Sequence, residues 1–315
     1  MDLQGFSKIT AKTLFYKSFF KFLLWDDKKM KIAIIGLGLI GGSLARAFRH
    51  YTDHYIIGCE KNTDSCKMAI SEGAVNEISQ DVPLADIYFL AMAPKVTMEY
   101  ISENAKSFKK GAIVTDVCGV KKPVTDICED ICEQNGLNFV GGHPMAGREV
   151  SGFKNSVYDL FVNRSYIITA TSKTDDNAIS TLRELVLKIG ISNITVTTPE
   201  NHDRMIAYTS QLPHVLAGAY MKSPSSREHS GYSAGSYHDV SRVSSVDENL
   251  WSELFVANKE NLAIELKGLI TSLKKYLSAV EDGDKTALFE LIKESRLLKE
   301  RDLKLNGGEK PHKFG

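Results

Sequence analysis

The sequence predicts the α/β class: a parallel sheet covered by helices, followed by an all-helical domain. Three observations carry that expectation. An apolar run, Ile32–Ile35, meets Gly36, Gly38 and Gly41, and the helical pattern SLARAF follows. This is G-x-G-x-x-G set between a strand and a helix, the opening of a Rossmann-type nucleotide fold. Strand-like and helix-like segments then alternate from Met30 to about Thr198, as a parallel sheet with helices on both faces requires. Beyond Thr198 strand runs cease, and apolar residues recur at helical spacing, as in Leu262, Leu266, Ile270 and Leu273.

Composition sets the outer bounds. At 315 residues the chain has room for two domains. Hydrophobic residues at 43% and charged residues at 25% suit a soluble protein able to bury a full core. The 39 basic residues balance 39 acidic ones, so charge argues for neither nucleic acid nor membrane as a partner. Five cysteines, an odd number with no C-x-x-C pair, predict reduced thiols in the cytoplasm. Cys128 and Cys132, one helical turn apart, read as packing, and no metal site is expected.

Taken in order, residues 1–29 are an N-terminal arm outside the nucleotide fold, expected to be disordered. FYKSFFKFLLW within it is interrupted by Lys17 and Lys21, too short to cross a bilayer, and lacks a signal-peptide cleavage pattern. A surface amphipathic helix is the alternative there. Residues 30–198 form the expected nucleotide domain. After the first strand, strands are read at Tyr55–Glu60, Ala85–Ala93, Gly111–Cys118, Leu137–Pro144, Ser165–Thr171 and Ile191–Thr198. Helices fall around Asp64–Glu72, Val120–Asn135 and Asp175–Lys188. Residues 199–305 form the helical domain, with helical spacing over Ala207–Met221, Glu248–Val280 and Lys285–Lys304. Two of these stretches carry more apolar surface than a lone bundle needs, which predicts a homodimer interface. Residues 306–315 read as a disordered tail.

The glycine loop has a definite chemistry. Gly36 permits the tight turn, Gly38 lets a pyrophosphate approach the backbone, and Gly41 lets helix pack on strand. Leu39 and Ile40 lie at the helix start, where unspent N–H groups and the dipole attract phosphate. Glu60 ends the second strand, at the separation where an acid hydrogen-bonds the adenosine ribose. Asp116 ends another strand and joins these as a candidate cofactor-binding residue. The sharpest local signal is GGHPMAGREVSGF, Gly141–Phe153. His143, framed by glycines and Pro144 in a loop after a strand, reads as a general base. Two later stretches carry further candidates. His202, Ser210, Gln211 and His214 open the helical domain, and Arg242 sits among short polar residues with a fork suited to a carboxylate.

From about Met30 to Leu305 the chain resembles the prephenate/arogenate dehydrogenase family. The motifs that carry the resemblance are GLGLIGGSLARA, TDVCGVK, GGHPMAGREVSGF, HDRMIAYTSQLPH and HDVSRVSS with the LW ending at Trp251. HPMAG followed by SGF and then an LPH is far more specific than a glycine loop. The resemblance implies a Rossmann domain and a helical dimerisation domain. It also implies oxidative decarboxylation: prephenate and NAD+ give 4-hydroxyphenylpyruvate, carbon dioxide and NADH. On that basis His143 matches the histidine that takes the ring-hydroxyl proton, Arg242 the arginine that binds the substrate carboxylate, and His214 a substrate-pocket histidine with Ser210 close by.

Three positions depart from the family pattern. Gly119 stands where many members have a serine that hydrogen-bonds the catalytic histidine, so what orients His143 is open. Gln211 replaces the first histidine of the common SHLPH, at a place tied to recognition of the substrate side chain. His238 stands where an arginine often precedes the aspartate. The alternatives are an arogenate dehydrogenase making tyrosine directly, a hydroxy-acid dehydrogenase with a lysine base, and a non-enzymatic NAD-sensing protein. No chorismate mutase segment is read before Met30, so any feedback control is expected to act through these two domains.

Overall fold

Strand β1 (Lys31–Ile35) lies between two parallel neighbours, and its residues alternate between two cores. Ile32 and Ile34 pack on one face with Phe48 and Phe89; Ala33 and Ile35 pack on the other with Tyr88, Leu90, Cys128 and Cys132. A parallel strand buried on both faces must be apolar at every position. That is why KIAII and IYFL show no polar alternation. Each such aliphatic side chain, fully buried, contributes roughly 1.5–3 kcal/mol.

The computed structural model describes residues 29–305; the expected arm (Lys29 apart) and tail lie outside the described residues. After β1 come α1 (Leu39–Tyr51), β2 (Tyr55–Cys59), α2 (Thr63–Ser71), β3 (Glu77–Ile78), β4 (Ile87–Leu90) and α3 (Pro94–Asn104). Then follow β5 (Ile113–Asp116), α4 (Lys122–Gln134), β6 (Asn138–Pro144), β7 (Ser165–Thr169), α5 (Asp176–Lys188) and β8 (Asn193–Thr197). They form one eight-stranded sheet in the order β3-β2-β1-β4-β5-β6-β7-β8. Two elements exceed the sequence expectation. Helix α3 begins with Pro94, whose missing N–H costs nothing in a first turn; β3 is too short to show a periodicity.

The sheet is parallel, as expected, in every pairing but one. β7 runs antiparallel to β6, with Gly141 opposite Thr169 and Pro144 opposite Tyr166. A parallel neighbour needs a crossover connection, usually a helix. The stretch between β6 and β7 holds only the 3₁₀ turn Phe153–Asn155. It therefore delivers the chain in the opposite direction.

The remaining chain is helical: α6 (Pro199–Ile206), a π-turn (Ala207–Gln211), α7 (Leu212–Tyr220), α8 (Gly235–Ser241), α9 (Glu248–Ala257), α10 (Lys259–Glu281) and α11 (Lys285–Leu305). The single helix expected over Glu248–Val280 is interrupted at Asn258, whose φ of −115° and ψ of 26° leave the helical region. Asn258 is buried, and its Nδ2 donates to Gln211 Oε1 at 2.9 Å. The break places that amide where a buried partner waits.

The chain divides into two compact units. One takes residues up to Asp203 together with Asp247–Leu254; the other takes Arg204–Val246 and the chain from Phe255 onward. Compactness puts the division at Asp203, beyond Thr198, because the side chains of His202 and Asp203 are bonded into the sheet unit. Asp247–Leu254 belongs there for similar reasons: the Glu253 carboxylate accepts from Lys95 N in the first turn of α3. Among the described residues no helix is long and apolar enough to cross a membrane.

Candidate active site

The carboxyl edge of the sheet gathers the residues that matter. Gly36 ends β1 with a φ of +91°, and a Cβ there would lie 2.6 Å from the Ala91 carbonyl oxygen. Gly41, one turn into the loop-helix junction, has its would-be Cβ in collision with the Gly36 carbonyl. At Gly38 the result is opposite: nothing lies within 4 Å. The open space faces the start of α1, where Leu39 and Ile40 stand among the residues whose N–H groups the helix leaves unspent. Glu60 sits just past β2, its Oε2 accepting from Leu37 N at 2.8 Å and its Oε1 from Asn62 N at 2.9 Å. The carboxylate is thereby held against the glycine loop. These residues fit a dinucleotide: a bare backbone cradle for the pyrophosphate and an acid beside it for the ribose.

Asp116, also expected among the cofactor-binding residues, lies inside the protein. It is fully buried; its Oδ2 accepts from Cys118 N at 3.0 Å and its Oδ1 from Gly142 N at 3.2 Å. Lys121 Nζ completes the shell as an ion pair with the same carboxylate. The Asp116 carboxylate thus serves the protein interior.

His143 occupies strand β6 itself, in register with Ile167 of β7, inside the stretch Leu137–Pro144 expected as a strand and ahead of the loop that follows. Being part of a paired strand makes its backbone more rigid than a loop allows. Its Nδ1 lies 2.9 Å from Nε2 of His202, and His202 Nδ1 lies 2.7 Å from Asp203 Oδ1. Asp203 is itself fixed by two backbone donors at the start of α4: Lys121 N to Oδ1 at 2.7 Å and Lys122 N to Oδ2 at 2.8 Å. The tautomers follow from this order. A carboxylate only accepts, so His202 Nδ1 carries the proton and donates to Asp203. Neutral His202 then accepts at Nε2, so His143 Nδ1–H is the donor, which leaves His143 Nε2 with its lone pair.

Electrostatics favour the same state. Burial, the neighbouring His202 and the Lys121 ammonium hold the His143 imidazole well below the ordinary histidine value. Burial also lowers His202, against the opposing pull of Asp203. Both rings are neutral near pH 7, and His143 is a base ready to accept a proton. His202 and Asp203 answer what orients His143 in the absence of a serine at Gly119. The sequence alone places His202 at the helix start without this role. The adjacent pair HD is the available signal; its partner lies far away in the chain.

The other expected residues lie in the helical unit. His214, in the first turn of α7, donates from Nδ1 to the Ser210 carbonyl at 2.8 Å. Ser210 belongs to the π-turn, a distortion that often marks functional positions. Arg242 opens a 3₁₀ turn, Arg242–Ser244, and α7 packs against that turn. His214 and Ser210 are thus in direct contact, and Arg242 lies on a turn packed against the same helix. Gln211 is directed inward, only 1% exposed and bonded to Asn258.

A bare glycine loop, an acid just past the second strand and a histidine with an unprotonated Nε2 thus lie at the carboxyl edge of one Rossmann-type sheet. The family model described as "Prephenate dehydrogenase, nucleotide-binding domain" matches residues 44–195, and that described as "Prephenate dehydrogenase, dimerization domain" matches residues 198–294. The chain belongs to the prephenate dehydrogenase family and is an oxidoreductase. It is 29% identical over 282 residues to prephenate dehydrogenase of Bacillus subtilis, covering 86% of this chain and 76% of that one. It is 30% identical over 276 residues to cyclohexadienyl dehydrogenase of Zymomonas mobilis, covering 84% and 93%. Among solved structures, Aquifex aeolicus prephenate dehydrogenase in complex with hydroxyphenyl propionate and NAD+ superposes with a TM-score of 0.78 at 26% identity, covering 87% of this chain and 98% of that chain. Synechocystis arogenate dehydrogenase gives 0.73 at 27%, covering 86% and 99%.

Proposed function

We propose that this protein is a prephenate dehydrogenase that uses NAD+ to convert prephenate to 4-hydroxyphenylpyruvate and carbon dioxide in tyrosine biosynthesis. The observation that carries the reading is the His143–His202–Asp203 chain, which holds a neutral base with Nε2 unprotonated at the carboxyl edge of a nucleotide-binding sheet. The Gly36–Gly41 loop and Glu60 would hold NAD+, which would supply the hydride acceptor for the ring carbon that bears the hydroxyl. His143 Nε2 takes the hydroxyl proton as that bond breaks, and the imidazolium so formed is stabilised through His202 by the Asp203 carboxylate. Loss of carbon dioxide leaves its electron pair in the ring, which becomes aromatic. The proton held on His143 returns to the phenolate oxygen, so no net proton is consumed.

Substrate anchoring falls to the helical unit in this reading. Arg242 binds a substrate carboxylate through its planar fork, with His214 and Ser210 beside it. Glu60 favours NAD+ over NADP+, since a 2′-phosphate would meet a carboxylate. Residues 30–198 serve as the nucleotide domain and residues 199–305 as the substrate and dimerisation domain of a cytoplasmic homodimer. The alternative substrate, arogenate, differs in an amino group where prephenate has a keto group. Initial rates of NADH formation with each substrate in turn test the reading. A higher kcat/KM for prephenate is expected; a higher one for arogenate would replace the substrate, and no NADH with either would sink the proposal.

A further inference from the structure

We propose that Lys121 is the positioning residue of the base, holding His143 from its backbone side and its ring side at once. The inference rests on the reading of His143 as the base. Lys121 is fully buried. Its Nζ donates to the Gly142 carbonyl at 2.6 Å and pairs with Asp116, whose Oδ1 accepts from Gly142 N at 3.2 Å. One buried ion pair thus grips both the N–H and the C=O of the residue immediately before His143. The same lysine reaches the ring by its own main chain, because Lys121 N donates to Asp203 Oδ1, the atom that also receives His202 Nδ1.

The surroundings leave little room for another arrangement. A Cβ at Gly142 would lie 2.7 Å from the Asp116 carbonyl oxygen and 2.8 Å from Thr115 Oγ1. A Cβ at Gly141 would collide with Thr169 Oγ1 and come within 3.5 Å of Lys121 Cδ. The paired glycines of GGHP make space for the polar layer beneath the base. Burying two charges carries a large desolvation cost, and well-packed apolar residues of similar volume often hold a fold as well or better. A fully enclosed pair directly under a base is therefore better explained by what it positions than by what it stabilises.

The test uses the full-length protein with both charges removed together, Asp116→Asn/Lys121→Met, so that no buried charge is left alone. The introduced amide oxygen still accepts from Gly142 N, while the introduced thioether cannot donate to the Gly142 carbonyl. Misplacing a reacting group by about 1 Å costs about 10²-fold, so kcat should fall roughly 100-fold, with KM for NAD+ within about twofold. Nitrogen-15 NMR of labelled histidines, with His143 assigned through His143→Asn, should show one fixed tautomer in the wild type and a mixture in the variant. A second variant, Asp116→Asn/Lys121→Gln, keeps a donor and should recover part of both signals. A folded Lys121→Met double variant with wild-type kcat and an unchanged His143 spectrum would overturn the proposal. Failure of both variants to fold would also overturn it, assigning the pair to core stability. A wild type inactive with prephenate and arogenate would remove the functional reading alone; the NMR comparison would still decide the role of Lys121.

Discussion

The sheet unit and the helical unit dispose of their apolar surface differently. In the sheet unit two continuous cores cover both faces, and β1, β4 and β5 are buried along nearly their whole length. In the helical unit α11 buries none of its residues, and Phe289 remains 61% exposed and Ile264 66% exposed. Leu277 and Ile292 are more than half exposed as well. The sheet unit buries its apolar strands on both faces, whereas the described helical unit leaves large apolar side chains exposed.

The largest expected effect breaks the sheet side of this comparison. His143→Asn should lower kcat by roughly 10²–10⁴ while leaving NAD+ affinity and the melting temperature close to wild type, since it removes a general base without disturbing the glycine loop. Turnover within a few-fold of wild type would dismiss His143 as the base.

Breaking the helical side should act on substrate binding. Arg242→Ala should raise the KM for prephenate by about 30-fold to several thousand-fold, the equivalent of ~2–5 kcal/mol for a charged group left without its partner. Arg242→Lys should restore only part, because an ammonium lacks the bidentate fork. The KM for NAD+ should stay nearly constant in both; if the two constants rose together, Arg242 would be maintaining structure.

A charge on each unit's exposed apolar surface sharpens the contrast. Phe289→Glu should weaken dimerisation roughly 10- to 100-fold, because a carboxylate enters an interface without a partner. Leu84→Glu, at a residue 67% exposed in the sheet unit, should leave the mass unchanged. Light scattering over a concentration series reads both, and equal masses for the two variants would remove α11 from the interface. The smallest effect is expected at Glu60. Glu60→Ala should reduce the preference for NAD+ over NADP+ by about tenfold, through loss of repulsion toward a 2′-phosphate. An unchanged ratio of catalytic efficiencies would leave Glu60 with only its bonds to Leu37 and Asn62.

The sequence by itself determined what local backbone chemistry enforces. Gly36, Gly38 and Gly41 are legible because a turn, an open cradle and a close helix approach each exclude a side chain. Strands β1 and β4 are legible because burial on both faces favours an unbroken apolar run. His143 stands out through GGHP, a pattern whose glycines are required by neighbouring side chains. Tertiary structure alone decided the rest. Nothing local distinguishes a strand that pairs antiparallel from one that pairs parallel, so the direction of β7 depends on its connection. In sequence Asn258 is one polar residue in a long helical stretch; in the fold it meets Gln211 in the interior. Asp116 reads as available to a cofactor, yet it is sealed in the interior with Lys121. His143 lies on β6, whereas His202 and Asp203 are neighbours on α6. The hydrogen bond from His143 to His202 depends on a distance in space that no spacing in sequence encodes, and that bond decides which nitrogen of His143 keeps its lone pair.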